Sequence, residues 1–320
     1  MKRPGLISNP LSERNRRRQP AMREAVAGHP ALLHAELDSV HATADVLREF
    51  ADREVDLLIV SGGDGTVQKV LTELLNGQAF DPLPALAVLP GGMTNLIAGD
   101  VGLQGDPVES LIRLCRLVAD PSMARGTQER SVLSLQRVPG ETPIHGMFLG
   151  TAAFYHAIMM ARNEVHPTGV KHDLALAMSL GLALFRLATG WRGSSALSRG
   201  EPMAVELNGR VAAPEEQLLF LATTLERLIL GLMPFWGEGR GSVRYTRIGF
   251  PPQRLWRALL PVIRGRPRPW MAARGYESGW TEQCRLRLQC PIVFDGEIFT
   301  PEPGTPVTLR ADRRVTFLRC

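Results

Sequence analysis

Residues Ile59–Leu75 read IVSGGDGTVQKVLTELL. Asp64-Gly65 at the centre is a hairpin signal, yet no second strand follows. The preceding "DLLIV" (Asp56–Val60) is an apolar strand. After the glycines, Val67, Val70, Leu71, Leu74 and Leu75 share one face of a helix. A strand, a glycine-rich turn and a helix in that order make a ligand loop. Glycines let the backbone approach a bound group. The helix after them presents free N–H groups and a positive dipole end, which suit a phosphate. Thr66 can cap that helix or offer its hydroxyl. Asp64 is the odd member, because a bare carboxylate repels phosphate; it suits a Mg²⁺ ion or a proton transfer. No Gly-Lys-Ser/Thr follows, so the loop is not a Walker A motif. The competing reading is a plain helix-capping turn.

A second glycine run decides between them. "LAVLPGGMTNLIAGDVGL" (Leu86–Leu103) repeats the design, an apolar strand followed by Gly91-Gly92 with Thr94 and Asn95 as polar groups. Two such loops at the C-terminal ends of parallel strands form a crevice, the usual ligand position in an open α/β sheet.

The surrounding pattern agrees. Up to residue 130, apolar strands ("GLIS", "ALLHAEL") alternate with helices at Ala21–Gly28, "TADVLREFAD" and "DPVESLIRLCRLVAD". That alternation predicts an α/β domain over 1–130. From 131 to 305 the texture changes to short strands such as "RSVLSLQRV", "GMFLGTAAF", "MAVELNGRV" and "QLLFLATTL", which predict a mostly β domain. A helical insertion, His172–Trp191, interrupts it as a buried helix or the wall of a lipid groove. A terminal strand is expected over 306–320.

The 320 residues, 44% of them hydrophobic, suffice for one large or two ordinary domains. Cys115, Cys284, Cys290 and Cys320 make neither a disulfide framework nor a Cys-x-x-Cys pair, which points to a reducing cytoplasmic compartment. Cys284 and Cys290 read as neighbours on one strand face. The N-terminus shows no secretory signal, and the longest apolar run, Leu174–Phe185, is shorter than the roughly 20 residues of a membrane span. The formal net charge is +5. Arginine dominates over lysine, of which there are three (Lys2, Lys69, Lys171). Between Arg240 and Arg274 lie nine arginines and no acidic residue, mixed with Trp, Leu, Val and Ile. This composition suits an anionic membrane surface or an ordinary solvated face; nucleic acid is not expected. A peripheral position at the inner membrane face follows from the first of these.

Near the C-terminus "IVFDGEIF" (Ile292–Phe299) holds another Asp-Gly. Here strand-like residues flank it on both sides, so a type I′ hairpin is one reading. Asp295 and Glu297 lie two apart and share a strand face. Two carboxylates facing a phosphate chain can serve as metal ligand and general base.

"SGGDGTVQKVLTELL" followed by "LPGGMTNLIAGDVGL", with "SNPLS" before them and "FDGE" near the end, resembles the diacylglycerol kinase catalytic-domain family. That family takes in bacterial lipid kinases and sphingosine kinases and is distantly related to NAD kinases. The resemblance implies an NAD kinase-like α/β domain with an open parallel sheet that binds ATP. It also implies a sandwich-like β domain that binds lipid, with the terminal strand returning to the first domain. It implies an ATP-dependent lipid kinase that transfers the γ-phosphate to a lipid hydroxyl, using Mg²⁺. Carried over by motif, Asn9, Gly62, Gly63, Asp64, Gly65, Thr66, Gly92, Thr94 and Asn95 would line the nucleotide site. Asp295, Glu297 and Asp64 are the catalytic candidates, with Glu297 favoured as base; the metal ligands stay unassigned, and a homodimer stays open.

The sequence departs from the family pattern at Gln68-Lys69, which stand in place of Asn-Glu, at Met93, and at Leu96, where an acidic residue is common. Asp38 stands where a threonine is usual. Only Glu238 is acidic where many bacterial members hold a structural Mg²⁺. Asn163-Glu164 is the one hint of an NAD kinase acting on a soluble substrate. A catalytically silent nucleotide or lipid binder is the remaining alternative.

Overall fold

The structure is a computed structural model that describes residues 3–37, 42–119, 126–164, 200–212, 216–228 and 231–319. The expected insertion at His172–Trp191, Asp38 and the side chains of Asn163 and Glu164 lie outside what is described.

The N-terminal half alternates as the sequence predicts. The elements are β1 (Pro4–Ser8), α1 (Glu13–Ala27), β2 (Leu33–Glu36), α2 (Ala42–Asp52), β3 (Leu57–Gly62), α3 (Asp64–Asn76), β4 (Ala85–Pro90), α4 (Leu96–Val101) and α5 (Pro107–Ala119). The strands pair in parallel in the order β2-β1-β3-β4. Both faces are covered, so β1, β3 and β4 are almost wholly apolar, while the edge strand β2 carries His34 and Glu36. Leu57, Ile59, Ala87 and Leu89 pack with Met22 and Ala25 of α1 and Leu111 and Leu114 of α5. Their neighbours Leu58, Val60, Leu86 and Val88 point the other way, onto Leu47 and Phe50 of α2 and Val67, Val70 and Leu71 of α3. Helix α1 is longer than its expected stretch. It starts before Pro20, which stands within it, and so carries the polar run Glu13–Arg18 into the helix.

The second half is β5 (Gly126–Gln136), β6 (Ile144–Gly146), β7 (Phe148–Ala152), α6 (Ala153–Glu164), β8 (Glu201–Leu207), β9 (Arg210–Ala212), β10 (Glu216–Thr223), β11 (Val243–Gly249), α7 (Leu255–Ile263), α8 (Pro269–Ala272), β12 (Tyr276–Thr281), β13 (Gln283–Leu288), β14 (Ile292–Phe294), β15 (Glu297–Phe299) and β16 (Val307–Arg319). One layer runs β9-β8-β13-β16-β5-β6 and the other β15-β14-β7-β10-β11-β12. They enclose a core that includes Leu133, Leu149, Val205, Phe220, Leu286, Phe294 and Leu309. Cys284 and Cys290 both lie in this core, but Cys290 follows the end of β13 rather than sharing its face.

The two halves share strands. β5 lies antiparallel to β16 along nearly all its length, and β16 ends with Phe317 beside Leu86 of β4. The boundary read at residue 130 therefore falls inside β5, because the ladder continues across it. A polar latch holds α3 to the β domain. Thr72 Oγ1 accepts the His145 backbone N–H at 2.9 Å. His145 Nε2 meets Asn76 Oδ1, and its Nδ1 meets Ser134 Oγ, each at 3.1 Å. Arg313 donates to the Leu75 carbonyl at 2.9 Å. Burial and then Arg313 push the His145 pKa down to about 4, against a smaller opposing pull from Asp312. The ring is therefore neutral in the fold, with Nε2–H donated to Asn76 Oδ1, while the Ser134 hydroxyl beside Nδ1 also reaches Asp312 Oδ1 at 3.1 Å.

A histidine lowered by folding adds stability above its unfolded value, and that contribution is lost as pH falls towards the folded value. His145→Gln should thus flatten the acid side of a thermal-melting profile between the ordinary value of 6.5 and about 4. A variant whose melting temperature falls with acid as steeply as the native chain would refute the latch.

Candidate active site

The first glycine loop is fixed from below by asparagines. β1 and β3 lie side by side, so their C-terminal ends bring Asn9 and Ser61 together; Asn9 N–H donates to the Ser61 carbonyl at 2.9 Å. Asn9 Nδ2 donates to Thr66 Oγ1 at 3.0 Å. Asn15 Nδ2 donates to the Ser61 carbonyl at 2.9 Å and to the Asn9 carbonyl at 3.0 Å, and its Oδ1 accepts the Ser61 hydroxyl at 3.0 Å. Ser12 Oγ accepts the Gly63 N–H at 3.3 Å. Asn15 is buried and joins three chain segments. Sequence reasoning missed it, since it stands in the polar run "SERNRRRQ" with no local pattern to single it out.

The second loop leans directly on the first. A methyl on Gly92 would lie 2.3 Å from the Cα of Gly63, so only glycine fits. Asn95 has a left-handed backbone (φ 51°) and closes the turn with its own amide. Its Oδ1 accepts Gly92 N–H at 2.7 Å, and its Nδ2 donates to the Gly92 carbonyl at 2.8 Å. Thr94 is half-buried between them and Met93 is exposed. Asp64 crosses from one loop to the other. Its Oδ2 accepts Leu96 N–H at 3.0 Å and its Oδ1 accepts Ile97 N–H at 2.9 Å, capping α4. The carboxylate that looked anomalous against a phosphate therefore has a bracing role. Burial raises its pKa, and the accepted N–H bonds oppose that shift.

The β domain adds the acidic pair. Asp295 (φ 47°) and Gly296 (φ 88°) form the turn between β14 and β15, the positive-φ pair that a type I′ hairpin requires. Hairpin and acidic site are thus one object. Asp295 is buried. Its Oδ2 accepts Met147 N–H at 2.8 Å and its Oδ1 accepts Phe148 N–H at 2.9 Å. Burial, followed by the charge of nearby Asp64, holds its pKa well above the usual carboxyl range. Glu297 differs, with a side chain 47% exposed. A methyl on Gly65 would lie 2.6 Å from Glu297 Oε1, which puts that carboxylate directly over the start of α3. Lys69 Nζ stands 4.0 Å from the same oxygen.

The structure thus gathers Asn9, Gly62, Gly63, Asp64, Gly65 and Thr66 at one loop and Gly92, Thr94 and Asn95 at the other. Asp295 and Glu297 meet them from the opposite domain. Residues 4–122 match the family model of the diacylglycerol kinase catalytic domain. The diacylglycerol kinase of Bacillus subtilis strain 168 is 36% identical over 116 residues, covering 34% of this chain and 36% of that protein. The "Probable lipid kinase YegS-like" protein of Chromohalobacter salexigens is 34% identical over 97 residues, covering 29% of this chain and 30% of that one. The chain thus aligns with only about a third of the length of these relatives. A crystal structure of a diacylglycerol kinase from Bacillus anthracis strain Sterne superposes over 99% of this chain and 96% of its own, with a TM-score of 0.62 and 16% identity. That likeness establishes the shared two-domain fold.

The glycine contacts separate two effects. Gly92→Ala puts a methyl against backbone and should melt several degrees lower. Gly65→Ala meets only the flexible end of Glu297, so it should keep its melting temperature while displacing that carboxylate. Equal melting temperatures for both variants would contradict the backbone contact of the loops.

Proposed function

We propose that the chain is an ATP-dependent lipid kinase that transfers the γ-phosphate of ATP to a lipid hydroxyl. The observation that carries this reading is Glu297. It is a half-exposed carboxylate over Gly65 at the N-terminus of α3, where a phosphate would sit. The loop N–H groups and the α3 dipole hold the phosphates, and the Glu297 carboxylate takes the proton of the attacking hydroxyl. Asp295 positions Glu297 through the hairpin. Positioning and electrostatics supply most of the rate in such transfers.

Among the described residues no group of three or more metal-ligating side chains occurs. Mg²⁺ commonly binds through one or two carboxylates together with substrate phosphates. Glu297 suits that mode, with Asp64 beside the same loop; Asp64 and Asp295 already accept two backbone N–H bonds each. When bound, the ion would neutralise charge on the phosphates.

A silent binder is the competing reading, and the Lys69–Glu297 pair is its support, since it occupies the base. Exposed pairs of this kind are worth about 0–1 kcal/mol, too little to withhold Glu297 from a substrate. A transfer assay with γ-labelled ATP decides. Label should appear in a diacylglycerol or sphingosine presented in mixed micelles, and Glu297→Gln should lower kcat by about 10²–10⁴-fold at an unchanged melting temperature. Label in NAD alone would make the chain a soluble-substrate kinase. Retained nucleotide with no transfer to any acceptor would make it a silent binder.

A further inference from the structure

The arginine-rich segment is not uniformly a surface. Arg247 is buried and pairs with Glu277, and Arg244 stacks on Trp280 at 4.4 Å from the ring centre. Of the exposed members, five gather around α7 and the turn that follows it, Arg254, Arg257, Arg264, Arg266 and Arg268, while Arg240 and Arg274 lie outside this group.

Helix α7 divides cleanly. Ala258 and Val262 are buried against Leu218, Ile248, Met271 and Tyr276. Trp256 and Leu260 face outward at 51% and 53% exposure. Trp256, Leu260 and Arg264 are spaced by four, so they form one ridge along the outer side. The helix is anchored at both ends. Tyr276 Oη donates to the Gln253 carbonyl at 2.8 Å, and Met233 N–H donates to the Ile263 carbonyl at 2.9 Å. The segment Arg240–Arg274 contains no acidic residue.

We propose that this outer face of α7 docks the protein on an anionic lipid bilayer, with Trp256 and Leu260 entering the headgroup boundary and the arginines on lipid phosphates. A helix lying in the interface uses this division: a few large apolar side chains, one of them Trp, flanked by cations. Its other side rests on the protein rather than in water, so little ordering entropy is lost on binding. Charge decides between this and an apolar protein partner. Two apolar side chains bury too little area for a stable protein interface, whereas each arginine near an anionic surface strengthens binding about fivefold. The surface does not depend on the kinase reading.

Sedimentation of the full chain with vesicles, without nucleotide, tests it by binding alone. The protein should pellet with phosphatidylglycerol–phosphatidylcholine vesicles, not with pure phosphatidylcholine, and should be released by salt. Arg257→Ala with Arg264→Ala and Arg266→Ala, and separately Trp256→Ala with Leu260→Ala, should each weaken binding at least ~10-fold. Both sets should fold, shown by an unchanged melting temperature. Arg48→Ala with Arg53→Ala, on α2 and the turn after it in the other domain, should bind like the native chain. Equal binding to neutral vesicles, an equal loss in the α2 variant, or tighter retention on RNA than on anionic vesicles would overturn the assignment.

Discussion

The contact between Gly63 and Gly92 is the constraint from which the rest of the site follows. Two backbone segments approach so closely that any side chain at Gly92 would collide with the other loop. Adjacent parallel strands place their C-terminal ends side by side, but they do not by themselves make the following loops touch. Asn95, turned into a left-handed backbone to cap its own loop, and Asp64, reaching across to cap α4, keep them together. With the loops joined, the ends of β3 and β4 become one concave wall lined by backbone.

Glycine backbone supplies no acidic group, so any acidic chemistry beside these loops has to come from elsewhere in the chain. It comes through a hairpin whose tip is buried. Burying Asp295 beside Asp64 is unfavourable for charge, and the pKa shift shows it. The accepted N–H bonds of Met147 and Phe148 offset part of that penalty, and they fix the hairpin against β7. Two residues on, across the turn and at the start of β15, Glu297 then reaches the loop in a half-exposed position. The shared ladder of β5 and β16 and the His145 latch keep that reach constant, because they join the domains on the far side of α3.

How much of this was legible beforehand depends on the range of each interaction. The parallel sheet and both glycine loops are local in sequence, and Ile59–Leu75 with Leu86–Leu103 displayed them directly. The hairpin at Asp295 was legible as a turn because Asp-Gly fixes its geometry. Asn15 was invisible, since its partners Ser61 and Gly91 are far along the chain and its own neighbourhood is polar. The bracing contacts of Asp64 were invisible for a related reason, because its partners Leu96 and Ile97 belong to the second loop. The division of the arginines was hidden too, because Arg244 and Arg247 differ from Arg257 and Arg264 only in the elements beneath them.

Lys69 shows how placement changes the meaning of a substitution. In the sequence it is a positive charge where an acidic residue is usual, and it argued against activity. In the fold it stands one turn into α3, 4.0 Å from Glu297. An acid there would repel a phosphate on the same loop; a lysine attracts it. In the proposed reaction the ammonium would orient the base before the nucleotide arrives and lie within reach of phosphate charge afterwards. Because the pair is exposed, its contribution to stability is small, and its consequence is confined to the chemistry of the cleft. The site is thus rigid where the glycine backbones, Asp64 and the buried Asp295 meet, and adjustable at the acidic side chain left half in water.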